Sequence, residues 1–217
     1  MKEKYKGTRW YKCDLHLHTA GSKCFFDRTV TADQWVERAL AQGLNCVAVT
    51  DHNSGLNVDE IKLAAEGTDL TVFPGVEITC DSSKVHLLVL FDVDKTSEDV
   101  NDFLIKCDIS RNNFGEQDAF TSTSIFDIAK LANEEGALVI PAHIDEYNGL
   151  GSISVANLGK FFELDYINSV QIVHKEFLSS DLNVTANTDL KNYLNNYYNN
   201  PIPNIDDSTV KEWYTPV

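Results

Sequence analysis

Short apolar runs alternate with amphipathic stretches along most of the chain, the βαβα rhythm of a sheet or barrel with parallel strands. Strands are predicted over YKCDLHLH, NCVAVT, TVFPGVEIT, VHLLVLF, ALVIPAH and INSVQIV. Helices are predicted over TADQWVERALAQG, NVDEIKLAAEG and TSIFDIAKLANEEG. The first of these opens on Thr31 with Gln34 three residues on, a capping box, and stops at Gly43. Only CDSSK separates Thr79 from Val85, too few residues for a crossover helix, so a hairpin is required. A two-residue turn at Asp81-Ser82 would place Glu77 directly opposite His86. From Ser179 the pattern weakens into an Asn-rich stretch with the prolines of NPIPN. The organisation predicted is one domain over 1–178 and an irregular segment over 179–217.

Composition narrows the class. With 43% hydrophobic and 24% charged residues the chain reads as an ordinary globular protein rather than a fibre or a disordered tail. A formal net charge of -15 argues against a broad basic surface for nucleic acid, although bound divalent cations would invert the field inside a cleft. The five cysteines (Cys13, Cys24, Cys46, Cys80, Cys107) form no Cys-x-x-Cys pair and no secreted disulfide framework. The N-terminal residues lack an apolar signal region, and no apolar run approaches the ~18 residues a membrane span needs. A cytoplasmic location, away from any membrane, is the expectation.

Candidate chemistry sits where apolar strands run out. Asp14-Leu15-His16-Leu17-His18 carries two histidines at i, i+2, which strand periodicity sends to one face. Asp51-His52 ends the second strand, Glu77 interrupts the third, His86 opens the fourth and His143-Ile144-Asp145 follows the fifth. Five of the six histidines and one acid within a strand therefore gather at predicted strand ends, where parallel α/β folds build their active sites. Imidazole with carboxylate suits zinc, manganese or iron. A site of two or three such ions activates a bridging water, neutralises phosphate oxygens and stabilises a leaving oxygen, which favours phosphoester hydrolysis; hydrolysis of an amide or a ring is a further possibility. His174 at the end of INSVQIV, and Lys23 and Arg28 in the loop after the first motif, are candidate substrate contacts. Phe25, Phe26 and Trp35 could stack on a base or pack in the core.

Taken in order, DLHLHT, VTDHN, PGVEIT, VHLLVLF and PAHID resemble the PHP (polymerase and histidinol phosphatase) domain over roughly residues 10–175. The resemblance is nearest to the nucleotide phosphatase and 5′-to-3′ exoribonuclease branch, and to the N-terminal PHP module of large AAA-like or SMC-like ATPase proteins. It implies a distorted seven-stranded TIM-like (β/α) barrel with a trinuclear site at its C-terminal face. His16 and His18 would bind the first metal, Glu77 would bridge to the second, His86 and His143 would complete the second, and His52 would bind the third. Asp14 and Asp51 would act from behind the ligands, orienting an imidazole, or in the case of Asp51 lying near substrate.

Two departures qualify the resemblance. Ser22-Lys23-Cys24 stands where relatives carry a third-metal ligand, leaving Cys24 or Asp27 to substitute, and no Asp-x-His motif follows His143. The expectation drawn from the second departure is a chain that continues beyond Val217, a barrel without its closing strand and a first metal short of one carboxylate. The function expected is hydrolysis of phosphate esters of nucleotides or nucleic-acid ends by a metal-bridging hydroxide. The competing reading is a catalytically incomplete metal-binding module that supports an ATPase domain of a longer protein.

Overall fold

The computed structural model describes residues 10–146, 148–173 and 212–214. Its main sheet has the order β1 (Cys13–Leu17), β2 (Cys46–Val49), β3 (Thr71–Cys80), β4 (Val85–Leu90), β5 (Leu138–Pro141). The first three strands are parallel, and α1 (Ala32–Ala41) and α2 (Val58–Ala65) make the crossovers between them. β4 runs antiparallel to both β3 and β5. A second sheet pairs β6 (Val170–Ile172) with β7 (Glu212–Tyr214) antiparallel. Three further helices are α3 (Ser97–Lys106), α4 (Ile125–Glu134) and α5 (Val155–Phe162).

The topology brings the chemistry to one end. Parallel β1, β2, β3 and β5 deliver their C-terminal ends there, and reversed β4 delivers its N-terminal end, so His86 arrives beside residues that close the other strands. The sheet also curls. His16 on β1, an edge strand, lies 2.8 Å from Gln171 on β6, and the β6 region is tied to the end of β5 by Ile144 N–H donating to Gln171 O. Among the described residues this is a half-barrel of five strands beside a two-stranded sheet.

Alternation along the strands splits the apolar residues into two layers. Val76, Ile78, Leu87 and Val89 face outward onto the helices. Ala48, Leu88, Leu90, Ile140 and Ala142 plug the inside of the curl, with Leu15 and Phe73 packed against them. Glu77 falls on that inner face, opposite Leu88.

Two expectations need correction. The hairpin loop spans 81–84, with Asp81 and Lys84 at positive φ and Asp81 Oδ1 accepting from Ser83 N–H, so the register moves by two residues and His86 opposes Thr79. A two-residue slip keeps every side chain on its face, so Glu77 and His86 still meet diagonally. Simple alternation also fails in β1. The register with β2 shifts between Asp14 and Leu17, a bulge that leaves Leu15 inside and Leu17 against the outer core. Within the segment 179–217, the described residues Glu212–Tyr214 form β7 and pair with β6. His174, Asp206 and Asp207 lie outside the described residues.

Candidate metal centre

β3 delivers the central residue. Beyond the end of β2 the chain keeps its parallel course beside β3, with Glu77 N–H donating to Asp51 O and Asn53 N–H to Glu77 O, and His52 bridging to Glu77. Asn53 holds this extension by accepting from Thr79 N–H and donating to the carbonyls of Glu116 and Ala119, at a φ of 46°. His143 also takes a positive φ of 29°, a conformation that costs energy in a non-glycine residue and here turns the chain after β5 so that its ring points back at Glu77.

The result is one buried carboxylate ringed by five imidazoles. Glu77 Oε2 lies 3.0 Å from His16 Nε2, 3.3 Å from His18 Nε2 and 3.1 Å from His52 Nδ1. Oε1 lies 2.8 Å from His86 Nδ1 and 3.1 Å from His143 Nε2. Burial opposes ionisation of Glu77, but the imidazoles, His16 foremost and then His143 and His86, outweigh it and hold the carboxyl well below its usual range. Burial lowers the pKa of His52 to about 4, despite the pull of Glu77, so its ring is neutral at pH 7.

Such a cluster suits cations. Each carboxylate oxygen has only a few acceptor directions, and two of the facing atoms, His52 Nδ1 and Glu77 Oε2, are buried without a hydrogen bond although they are 3.1 Å apart. Leaving such atoms unpaired costs on the order of 1–3 kcal/mol each. Neutral imidazoles and a carboxylate are the donor set of zinc, iron and manganese sites. Three triplets bring their ligand atoms within 4.8 Å of one another: His16, His18 and Glu77; His52, Glu77 and His86; and His18, Cys24 and His52. Glu77 is the one carboxylate in these triplets. The second of them joins His86 to His52, where the resemblance pairs His86 with His143.

Residues behind the cluster fix its geometry. Gln171, fully buried, accepts through Oε1 from His16 Nδ1 at 2.8 Å and from His143 N–H at 3.0 Å. Ser22 Oγ accepts from His52 N–H at 2.8 Å and lies 3.3 Å from His18 Nδ1. Neither was singled out from sequence; the signal for Gln171 was an amide inside the apolar run SVQIV. Asp14 accepts from His16 N–H at the bulge. Asp51, expected to orient an imidazole or lie near substrate, receives Thr19 N–H at 2.6 Å and the Thr19 hydroxyl, and burial raises its pKa against those bonds. It anchors the loop after β1.

The remaining candidates are placed as follows. The Lys23 ammonium is paired with Glu116, and the Arg28 guanidinium donates to Ala20 O at 3.2 Å. Phe26 is fully exposed. Trp35 is half-buried on α1 and donates its indole N–H to His18 O. A cavity of about 820 Å³ opens beside the cluster, its wall shared by Asp14, His16, His18, Phe25, Trp35 and Arg38.

A curled α/β half-barrel with a histidine–carboxylate centre at its strand ends has the form of a metal-binding α/β domain. The chain belongs to the PHP domain family, which residues 14–214 match. Over 87 residues, 39% of the chain, it is 34% identical to a 5′-3′ exoribonuclease of Haemophilus influenzae, and the match spans 30% of that protein. In fold it is similar to a chain assigned as a metal-dependent phosphoesterase of Bifidobacterium adolescentis (TM-score 0.57, 18% identity, covering 87% of this chain and 84% of that one). It is also similar to a lesion-specific endonuclease of Pyrococcus furiosus (TM-score 0.54, 23% identity, 74% of this chain and 41% of that one). Among the described residues no helix is long and apolar enough to cross a membrane.

Proposed function

We propose that the chain hydrolyses phosphate esters of nucleotides or nucleic-acid ends at a site of two or three divalent ions held by His16, His18, His52, Glu77, His86 and His143. The observation that carries the reading is the single buried carboxylate with imidazoles on both oxygens, the form of a bridging ligand. Zinc, manganese or iron in such a site supplies an activated water and a clamp on phosphate oxygens. The chain's own part is to hold that array: Glu77 spans its two halves, Gln171 and Ser22 orient imidazoles, and Asp14 and Asp51 fix the backbone that carries them. No side-chain nucleophile is required. The cavity beside His16 and His18 has room for a nucleoside, with Phe25 and Trp35 on its wall as apolar surface for the base. The stretch similar to the exoribonuclease supports a nucleotide or nucleic-acid substrate.

The test is release of phosphate or mononucleotide from a 5′-phosphorylated oligonucleotide by the manganese- or zinc-loaded chain. His16→Ala and Glu77→Ala should each lower the rate by on the order of 100-fold or more. Activity that survives both substitutions would assign the chemistry to some other site.

A further inference from the structure

We propose that Cys24 is a metal ligand, forming with His18 and His52 a sulfur–nitrogen subsite at the rim of the Glu77 cluster. The inference rests on the metal reading above and extends it to a residue and a donor type outside the imidazole–carboxylate set. Ligand atoms of the three side chains lie within 4.8 Å of one another, the span of a single ion's coordination sphere. The rings of His18 and His52 stack with centroids 4.6 Å apart at 24°, which sets their edges side by side. His52 Nδ1 faces Glu77 Oε2 at 3.1 Å, so one ring borders both the Glu77 cluster and the Cys24 subsite.

The loop that carries the thiol is built, not loose. Ser22 N–H donates to Thr19 O, Phe25 N–H to Ser22 O, and Lys23 N–H to Gly115 O at 2.8 Å. Ser22 Oγ reaches both histidines of the subsite, which couples the position of Cys24 to theirs. Asp27, the other residue of this loop that could serve, has its carboxylate engaged by Thr29 N–H and Oγ1 at 3.0 and 2.6 Å. Among the other cysteines, Cys80 and Cys107 are buried in the core, and Cys13 faces Cys46 across β1 and β2. Binding converts the Cys24 thiol to thiolate with loss of one proton to solvent. A thiolate with two neutral imidazoles favours zinc, cobalt or cadmium over manganese and magnesium.

The experiment loads the purified chain with Co(II) alone. A thiolate-to-cobalt charge-transfer band in the near ultraviolet is expected, absent from Cys24→Ser and retained in Cys13→Ser. The weaker ligand-field bands of cobalt at the Glu77 cluster should persist in both variants. A second measurement needs no variant: zinc should slow alkylation of Cys24 by iodoacetamide roughly tenfold or more, mapped by mass spectrometry with exposed Cys13 as internal reference. Cobalt uptake with no thiolate band, a band that survives Cys24→Ser, or alkylation indifferent to zinc would overturn the Cys24 assignment and leave the Glu77 cluster standing. A chain that takes up no cobalt would overturn both.

Discussion

Gln171 illustrates how one neutral side chain sets the chemistry of charged neighbours. Its Oε1 lies 3.0 Å from the backbone N–H of His143, a contact only an oxygen can accept, so the amide orientation follows from the chemistry. The same oxygen then requires a proton on His16 Nδ1, so Nε2, 3.0 Å from Glu77 Oε2, is the ring nitrogen placed to hold a metal ion. Gln171→Leu should weaken metal binding roughly 10–100-fold by freeing the ring. Gln171→Glu keeps an acceptor oxygen for both contacts and should restore most of the affinity, as read by competition with a chromophoric chelator. Equal affinity in wild type and the Leu variant would remove Gln171 from the site. The five histidines around Glu77 were legible in sequence because each lies at or beside the end of an apolar strand. Gln171 and Ser22 were not, because an amide or a hydroxyl is ordinary in a strand or loop until its distant partner is known.

At the level of elements, the local codes were read correctly where they are self-contained. The Thr31–Gln34 capping box forms as predicted, with Thr31 N–H donating to Gln34 Oε1 and Gln34 N–H to Thr31 Oγ1. The analogous Thr96–Asp99 box starts α3, a helix absent from the expectation although its T-x-x-D signal is present. α5 was equally absent, its pattern interrupted by Gly159 within the helix. The β1 bulge and the hairpin register are choices of pairing, decided by contacts between strands that no single stretch encodes. Long-range loop docking is the clearest case. Gly115, at a φ of 80°, donates its N–H to His52 O and accepts from Lys23 N–H, joining the Cys24 loop to the end of β2. A Cβ there would run into the Gly21 carbonyl oxygen. Gly115→Ala should therefore cost more than about 1 kcal/mol in urea unfolding and weaken metal binding in the same variant. Loss of stability without loss of affinity would mean the two loops do not position His18 and His52.

On the scale of the whole molecule, the ligands come from β1, the end of β2, β3, β4 and the turn after β5, so bound ions would fasten the curl of the sheet across its open side. An ion that binds only the folded chain adds about 2.7 kcal/mol at a hundredfold excess over its dissociation constant, so chelation should lower the unfolding midpoint by a corresponding amount. The chelated protein should also depend on pH in a defined direction. His52 has a folded pKa of about 4, below the 6.5 of the free side chain. Between those values the unfolded chain takes up a proton that the folded chain refuses. The stabilisation from His52 is therefore fully present above pH 6.5 and is lost as pH falls toward 4, by on the order of 3 kcal/mol at most. Glu77 acts in the same sense at lower pH, since its folded pKa is also depressed. Urea unfolding in chelator should show stability declining from pH 7 to 5, and His52→Gln should flatten that decline. A decline unchanged in His52→Gln would assign the acid sensitivity to other groups, and a chelated protein as stable as the loaded one would show that the curl closes without metal.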